Sequence, residues 1–567
     1  MKYKPFAILL ICALVLFIFS FTFTTGSEFS QDLGRHIKLG EFMLSTHRIA
    51  YTNLLSFTNP DFPFINHHWL PEIGYYVLYK YGGSLLLTLL KPLFIIGTVL
   101  FIVWGTTQSA IFSVTIASAF TLSFLLIERS EIRPELFGWL YFAILSSIFI
   151  SRKPKKYIYA IPLILLLWVN SHITFIFGCY LAFLIFIFNA FSAKKLSRQV
   201  LIVTLLSIGA IFINPNGVKG ALYPLFIFGN YGYPIVENQS LLFLNDMMSN
   251  PGIRLFLLLQ PIIGIVFGYI IWKKHIKIIL LTLPFYILTW LQIRHMPFFA
   301  ISFIPALSIT LSALIVKINN RYKTGLSILL VGSIILCSFL FVTNWYWHTF
   351  DYPREFGYGL EEYGKGATDF MKAHNLPPQI FNGFDIGGYA AYALFPKYRL
   401  FMDNRPESYP AEFVSNTYIA LQQDKNLREK VFSKYHIHTI LFNHTDGTPW
   451  GEQFMKDIIS YTKWKTVYAD SYSVVLTDLD TPLPNVTRDD HYLSNIIFTT
   501  SDYIDLLNVA KFMSLLGKHE LAIAAFRKAQ QINPLSCAIN KYMYNQLTNS
   551  PYFDNAIQIK SQYWYCF

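Results

Sequence analysis

Residues 6–36 read FAILLICALVLFIFSFTFT and then TGSEFSQDLGRH. The first part carries no charge and has the length of a membrane-crossing helix, which needs about 20 mostly apolar residues. Its apolar run exceeds the roughly 7–15 residues of a signal-peptide core, and no A-x-A cleavage site follows, so it is expected to remain as an anchor. The chemistry then changes abruptly. Glu28, Asp32 and Arg35 or His36 fall at i, i+4 and i+7 or i+8, which on a helix places them on one face.

The rest of the chain agrees with a membrane setting. Of its 567 residues, 54% are hydrophobic and only 14% charged, with a mean hydropathy of +0.40. A soluble domain carries about 25% charged residues, so a large soluble enzyme is excluded, as are disordered and fibrous proteins. Ten more apolar stretches follow the first, at 85–104, 108–127, 136–150, 157–169, 174–192, 199–213, 253–271, 278–292, 297–316 and 325–343. The expected architecture is a multi-span α-helical membrane domain of about 11 helices over residues 1–343.

Charge sets its sidedness. The net charge of +12 is not a nucleic-acid signal: residues 1–343 hold 25 Lys and Arg against 10 Asp and Glu, while 344–567 hold 20 against 23. The excess sits in alternate short loops, at Lys2/Lys4, Arg152/Lys153/Lys155/Lys156, Lys194/Lys195/Arg198, Lys273/Lys274/Lys277 and Lys317/Arg321/Lys323. These loops contain no acid, and all ten acids of this half fall on the other side. Basic loops stay cytoplasmic, so the N-terminus is expected inside and residues 344–567 outside, as in a protein of a bacterial inner membrane.

Residues 344–490 alternate strands and helices around FNGFDIGGY (381–389) and MDNR (402–405), the pattern of a small α/β domain. Asp385, Asp403, Arg405 and Tyr409 fall near strand ends, as acceptor contacts or as a buried pair bracing the sheet edge. The segment 491–567 is expected to be a helical tail. Within it, 503–536 resembles one 34-residue tetratricopeptide repeat through Gly517, Ala522, Phe526, Ala529 and Pro534. Ala556 continues the period, but Lys560 replaces the expected aromatic residue. The unit is expected to dock on the α/β part or on a protein partner through 503–567. Cys537 and Cys566 lie on the oxidising side, and spacing alone does not decide whether they bridge.

The outer ends of the spans collect the chemistry. The first outer loop, 25–84, offers His36, Glu41, His47, Arg48, His67, His68, Trp69 and Glu72; other ends add Glu128, Arg129, Glu131, Arg133, Glu135, Asn170, His172, NPNG (214–217), Glu237, Arg294 and His295. Lys91 lies about 9 Å into its span at 1.5 Å per residue, where it either faces a polar cavity or snorkels to the interface. Cations on this side run against the positive-inside bias, and an anionic ligand near the lipid surface is the simplest reason for them.

At these residues the chain resembles the GT-C class of membrane glycosyltransferases, which includes the protein O-mannosyltransferases and the lipid A aminoarabinose transferases. The resemblance covers residues 1–343 and is closest to bacterial membrane proteins with D-x-x-x-H after the first span and W-L-x-E later. Here these are Asp32/His36 and Trp69-Leu70-Pro71-Glu72, accompanied by RPE (133–135), WVNSH (168–172) and NPNG. It implies a polyprenyl-phosphate-linked sugar as donor, an extracytoplasmic acceptor and a partner in the lipid bilayer, with no nucleic acid involved. Asp32 is the candidate general base, with Glu28 beside it. Arg129, Arg133, Lys91 and Arg294 are candidates for the departing phosphate. His36, His67, His68, Glu72, His172 and Glu237 are candidates for the acceptor or a divalent metal ion. Glu28 and Asp32 stand four apart, where the class usually carries adjacent or i,i+2 acids, so metal dependence stays open. The rival readings are a non-catalytic assembly protein with a docking tail and a transporter or flippase.

Overall fold

Each of the eleven apolar stretches is helical in the computed structural model, which describes residues 4–152, 156–192, 198–226, 231–247, 250–316, 320–548, 553–563 and 566. Lys2, Lys153, Lys155, Lys194, Lys195 and Lys317 of the basic loops lie outside the described residues. Among the described residues four helices are long and apolar enough to cross a membrane alone: Trp69–Thr106, Phe112–Arg129, Ile293–Ile315 and Tyr322–Val342. Pro251–Leu258 and Gln260–Trp272 form a fifth, bent by 47°, where Pro261 removes a backbone donor in the first turn of the second piece. Six shorter apolar helices complete the set. Many hydroxyls inside the spans donate within their own helix: Thr98 Oγ1 donates to the Phe94 carbonyl (2.7 Å) and Ser118 Oγ to that of Val114 (2.9 Å).

The second span belongs to a longer helix, Trp69–Thr106, broken at Gly83. There φ is +58°, a backbone conformation that favours glycine. The half before the break stands above the apolar run and belongs to the outer loop. The half after it, with Ile95, Val99 and Ile102 buried, packs into a core with Phe17, Trp139, Phe142, Trp168 and Phe298, while Leu87 joins Phe29, Leu33 and Ile37.

Residues 379–478 form a five-stranded mixed sheet: β1 (Gln379–Asn382), β2 (Arg399–Leu400), β3 (Thr439–Asn443), β4 (Trp464–Ala469) and β5 (Ser473–Asp478), in the order β2-β1-β3-β5-β4. β1 is parallel to β2 and β3; β5 is antiparallel to β3 and β4. The two helices of the tail, Tyr503–Leu515 and His519–Ile532, are joined through Gly517 at φ +72°. Asp502 caps the first by accepting from the Ile504 and Asp505 amides. Ala522, Ala525, Phe526 and Ala529 are buried in one core with Phe381, Phe442 and Phe454 of the sheet domain. The ring of His444 stacks on that of Phe512 at 4.4 Å. Cys537 and Cys566 are disulfide-bonded. The side chain of Ala556 lies outside the described residues, and Lys560 is exposed.

Candidate active site

The acidic motif is not a uniform helix. The Leu33 amide donates to the Glu28 carbonyl five residues back (3.0 Å), making Phe29–Leu33 a π turn that runs directly into the helix Gly34–Thr46. A π turn carries one residue more than an α turn and rotates the residues after it, and such turns are frequent at functional sites. The expected single face is therefore divided, and Glu28, Asp32 and His36 meet three different partners.

Glu28 faces Lys91. Lys91 Nζ donates to the Thr24 carbonyl (2.9 Å), Thr24 Oγ1 (3.1 Å) and Glu28 Oε1 (3.3 Å), with both charged side chains buried. An ammonium has three donors, so none is left for a phosphate. Burial alone would raise the Glu28 carboxyl, but Lys91 and Arg354 outweigh it and hold it below the usual range.

His36 faces Glu72. His36 Nδ1 lies 2.9 Å from Glu72 Oε1, and Asn66 Nδ2 donates to Glu72 Oε2 at 2.6 Å. Around them the rings of His67 and His68 meet at 4.0 Å, and His68 stacks on His172 at 5.2 Å. Desolvation lowers these imidazoles, His67 to about 4 and His172 to about 3, so they are neutral at pH 7. Trp69 Nε1 donates to Asn170 Oδ1 (2.8 Å), which ties WLPE to WVNSH.

Asp32 faces the cations. Its Oδ1 accepts from Arg35 Nη2 (3.1 Å) and Asn404 Nδ2 (2.8 Å), and its Oδ2 lies 3.6 Å from Arg133 Nη1. From Arg133 a continuous chain of ion pairs runs through Glu237 to Arg129 (2.6 Å), Glu135 (2.8 Å) and Arg294 (3.0 Å). A branch leads from Arg133 through Glu131 to Arg354. This network holds five guanidiniums and four carboxylates, leaving one positive charge in excess. Desolvation opposes ionisation, but Arg129 and Arg133 hold Glu237 down to about 2. For Asp32 burial likewise raises the carboxyl, and Arg133 and Arg35 reverse the sign.

The sequence-predicted outer ends thus converge at one end of the bundle. Besides these pairs, Glu128 accepts from the Gly252 amide (3.1 Å), Arg294 donates to Asn238 Oδ1 (2.8 Å), and Asn170 Nδ2 donates to the Ile213 carbonyl beside NPNG (2.8 Å). Arg35, three residues on, is a neighbour of Asp32 that helical spacing already indicates, whereas Asn404 is one that spacing does not. The MDNR segment is visible in the sequence, but a contact across 372 positions has no local signal.

MDNR reads as two devices. Asp403 and Arg405 form a fully buried bidentate pair (2.7 and 2.8 Å), with Arg405 also donating to Asn53 Oδ1 (3.0 Å) and lying over the Phe64 ring. They brace the outer loop against the sheet rather than contacting an acceptor. Asp385 instead stands open at the end of β1, its carboxyl pushed up to about 7 by the protein around it and by the Asp446 and Asp32 charges.

Asp32, Glu131, Glu135 and Glu237 each meet a guanidinium, and among the described residues no three His, Cys, Asp or Glu side chains converge as a metal site.

No protein-family model and no curated protein matches the sequence. Solved structures do. The archaeal oligosaccharyltransferase AglB from Archaeoglobus fulgidus, in complex with an inhibitory peptide and a dolichol-phosphate, superposes with a TM-score of 0.52 at 10% identity. That match covers 96% of this chain and 86% of the other. The same enzyme with Zn and sulfate gives 0.51 at 11%, with the same coverage. ArnT from Cupriavidus metallidurans bound to undecaprenyl phosphate is matched at 0.45 and 10%, over 85% of this chain and all of the other. At such identities the likeness is one of fold. The chain has the fold of the GT-C glycosyltransferases, a helical membrane domain with a C-terminal sheet-bearing domain.

Proposed function

We propose that the protein is an integral membrane glycosyltransferase. It moves a sugar from a polyprenyl-phosphate donor to an extracytoplasmic acceptor, a cell-envelope glycan, lipid or protein, at a bacterial inner membrane. The observation that carries this reading is the standing of Asp32. Of the three candidate acids, Glu28 and Glu72 are closed off at 3% and 0% side-chain exposure, whereas Asp32 is 28% exposed and belongs to a network with one positive charge in excess.

The chemistry rests on that pairing. Asp32 takes the proton of the acceptor hydroxyl as its oxygen bonds to the anomeric carbon. The bond from that carbon to the phosphate oxygen breaks, and its electron pair leaves with the polyprenyl phosphate. Arg133, Arg129 and Arg294 hold the developing phosphate charge. A carboxylate held low is a weak base, suited to a hydroxyl that becomes acidic only as its new bond forms. Direct attack inverts the anomeric centre. Glu28 and Lys91 act as a buried pair fixing the start of the motif to the second span. The neutral imidazoles of His36, His67, His68 and His172, with Glu72 beside His36, form the wall on the acceptor side. The tail, 503–567, offers its remaining surface to a protein partner.

The test is transfer from a labelled polyprenyl-phosphate sugar by purified protein in lipid nanodiscs, with extracted envelope fractions as acceptor. Label moving into a fraction supports the reading. No transfer and no donor binding would favour the assembly-protein alternative.

A further inference from the structure

A second cavity, of about 570 Å³, lies on the opposite side of the helix Gly34–Thr46 from the histidine wall. Three walls enclose it: that helix, the outer half of the broken helix Trp69–Thr106, and the two helices Lys365–Ala373 and Gly387–Leu394 of the sheet domain. Asp32 does not line it. Its size suits a small polar molecule or a headgroup.

Its chemistry is specific. Tyr76, Tyr79, Tyr389 and Tyr392 supply ring faces, and Phe29 packs edge-on against Tyr392 behind them. Four lysines line it against three acids. Lys38 and Lys372 each meet a carboxylate of their own helix, Glu41 (2.8 Å) and Asp369 (2.7 Å), and Lys365 meets Glu362 just before its helix (3.0 Å). Lys80 has no such partner among the described residues; its ammonium lies over the rings of Tyr76 and Tyr81 at 5.7 and 5.8 Å. The Tyr79 and Tyr389 hydroxyls donate to Glu362 at 3.5 and 3.2 Å, so hydrogen-bonding groups converge beside the rings.

Position decides the source of the ligand. Lys80 stands three residues before the Gly83 break, directly above the apolar run that enters the membrane. Tyr81 beside it is 77% exposed, and Leu85, Leu86 and Leu93 below are exposed apolar side chains. An interfacial tyrosine and lysine above a lipid-facing leucine row mark the headgroup layer.

We propose that this cavity binds the phosphate-bearing, polyol headgroup of a membrane lipid. Lys80 takes the phosphate, the tyrosine rings and Glu362 take the polyol ring, and the acyl chains run down the leucine row. The site is separate from the network at Arg133 and does not depend on the transferase reading.

The test measures lipid retention by native mass spectrometry on the full-length protein. Nanodiscs contain phosphatidylcholine alone, or with phosphatidylglycerol, or with phosphatidylinositol, whose phosphate carries a six-membered polyol. The expected result is preferential retention of phosphatidylinositol, reduced about tenfold in Lys80→Ala and Tyr392→Ala and kept in Lys80→Arg and in Lys274→Ala at the other end of the bundle. A tenfold loss corresponds to about 1.4 kcal/mol. Equal retention of the two anionic lipids, or full retention by Lys80→Ala, would overturn the proposal. Displacement by an equal concentration of soluble inositol phosphate would overturn the lipid source and assign the cavity to a free sugar phosphate.

Discussion

Asn404 Nδ2 lies 2.8 Å from Asp32 Oδ1, joining the sheet domain to the acidic motif that follows the first span. The same amide donates to the Gln31 carbonyl (2.8 Å), and its oxygen accepts from Arg35 Nε (3.0 Å). Asn404 therefore reads both the backbone and the side chain of the motif, and the site is complete only when the two halves of the chain meet.

The first prediction concerns pH. Asn404 stabilises the charged form of Asp32, whose carboxyl already lies below its ordinary value because Arg133 and Arg35 outweigh burial. The ionised base is then present above that depressed value and is lost as pH falls through it. Asn404→Ala should move the acidic limb of the rate profile upward, and Asn404→Asp should move it further by placing a like charge beside the base. A limb unmoved in both variants would show that Asp32 is not the titrating group.

Close packing makes a second prediction. A Cβ on Gly388 would run into the Gln31 carbonyl oxygen, and one on Gly34 would crowd the Phe29 carbonyl. Gly388→Ala should separate the sheet domain from the motif and destabilise the protein by about 1–3 kcal/mol, the usual cost of overpacking. Thermal unfolding of the purified variant measures it; an unchanged midpoint with unchanged transfer would show that the close approach at Gly388 does not hold the motif.

Much of this is legible in the sequence because its signals are local. The apolar stretches appear as helices, and the alternation of strands and helices around FNGFDIGGY and MDNR appears as the five-stranded sheet with its helices. What the sequence hides is non-local or phase-dependent. Helical spacing puts Glu28, Asp32 and His36 on one face, but the π turn rotates them apart. Lys91 looks like a phosphate ligand, since depth alone does not reveal that Thr24 and Glu28 take all its donors. Asp403 and Arg405 read in the sequence either as acceptor contacts or as a bracing pair, and only their complete burial separates the two.

Topology supplies a third prediction. The acidic and arginine-rich loops converge with the sheet domain at one end of the bundle, and the alternation of the spans leads to the expectation that the basic loops lie at the other. Reporters fused after Arg152 and after Trp345 should read opposite sides of the membrane, the first inside and the second outside. The same side for both would overturn the assignment.

The tail gives a fourth. Ala522 is buried between the helices Tyr503–Leu515 and His519–Ile532, in the core shared with the sheet. Ala522→Trp should cost about 1–3 kcal/mol and lower the abundance of folded protein while the membrane helices still insert. Protease sensitivity of the tail in membrane preparations checks it; a tail as resistant as wild type would contradict the packing.

If Asp32 is the base and the guanidinium network the phosphate site, one paired measurement separates their roles. Transfer from a labelled polyprenyl-phosphate sugar and binding of that donor are measured on the same preparations of wild type, Asp32→Asn and Arg133→Ala. Removing a general base typically costs about 10²–10⁴-fold in rate. Asp32→Asn should show such a loss with donor binding retained, and Arg133→Ala should show weakened donor binding. Near-normal transfer by Asp32→Asn, with donor still bound, would contradict the assignment of Asp32 as the base.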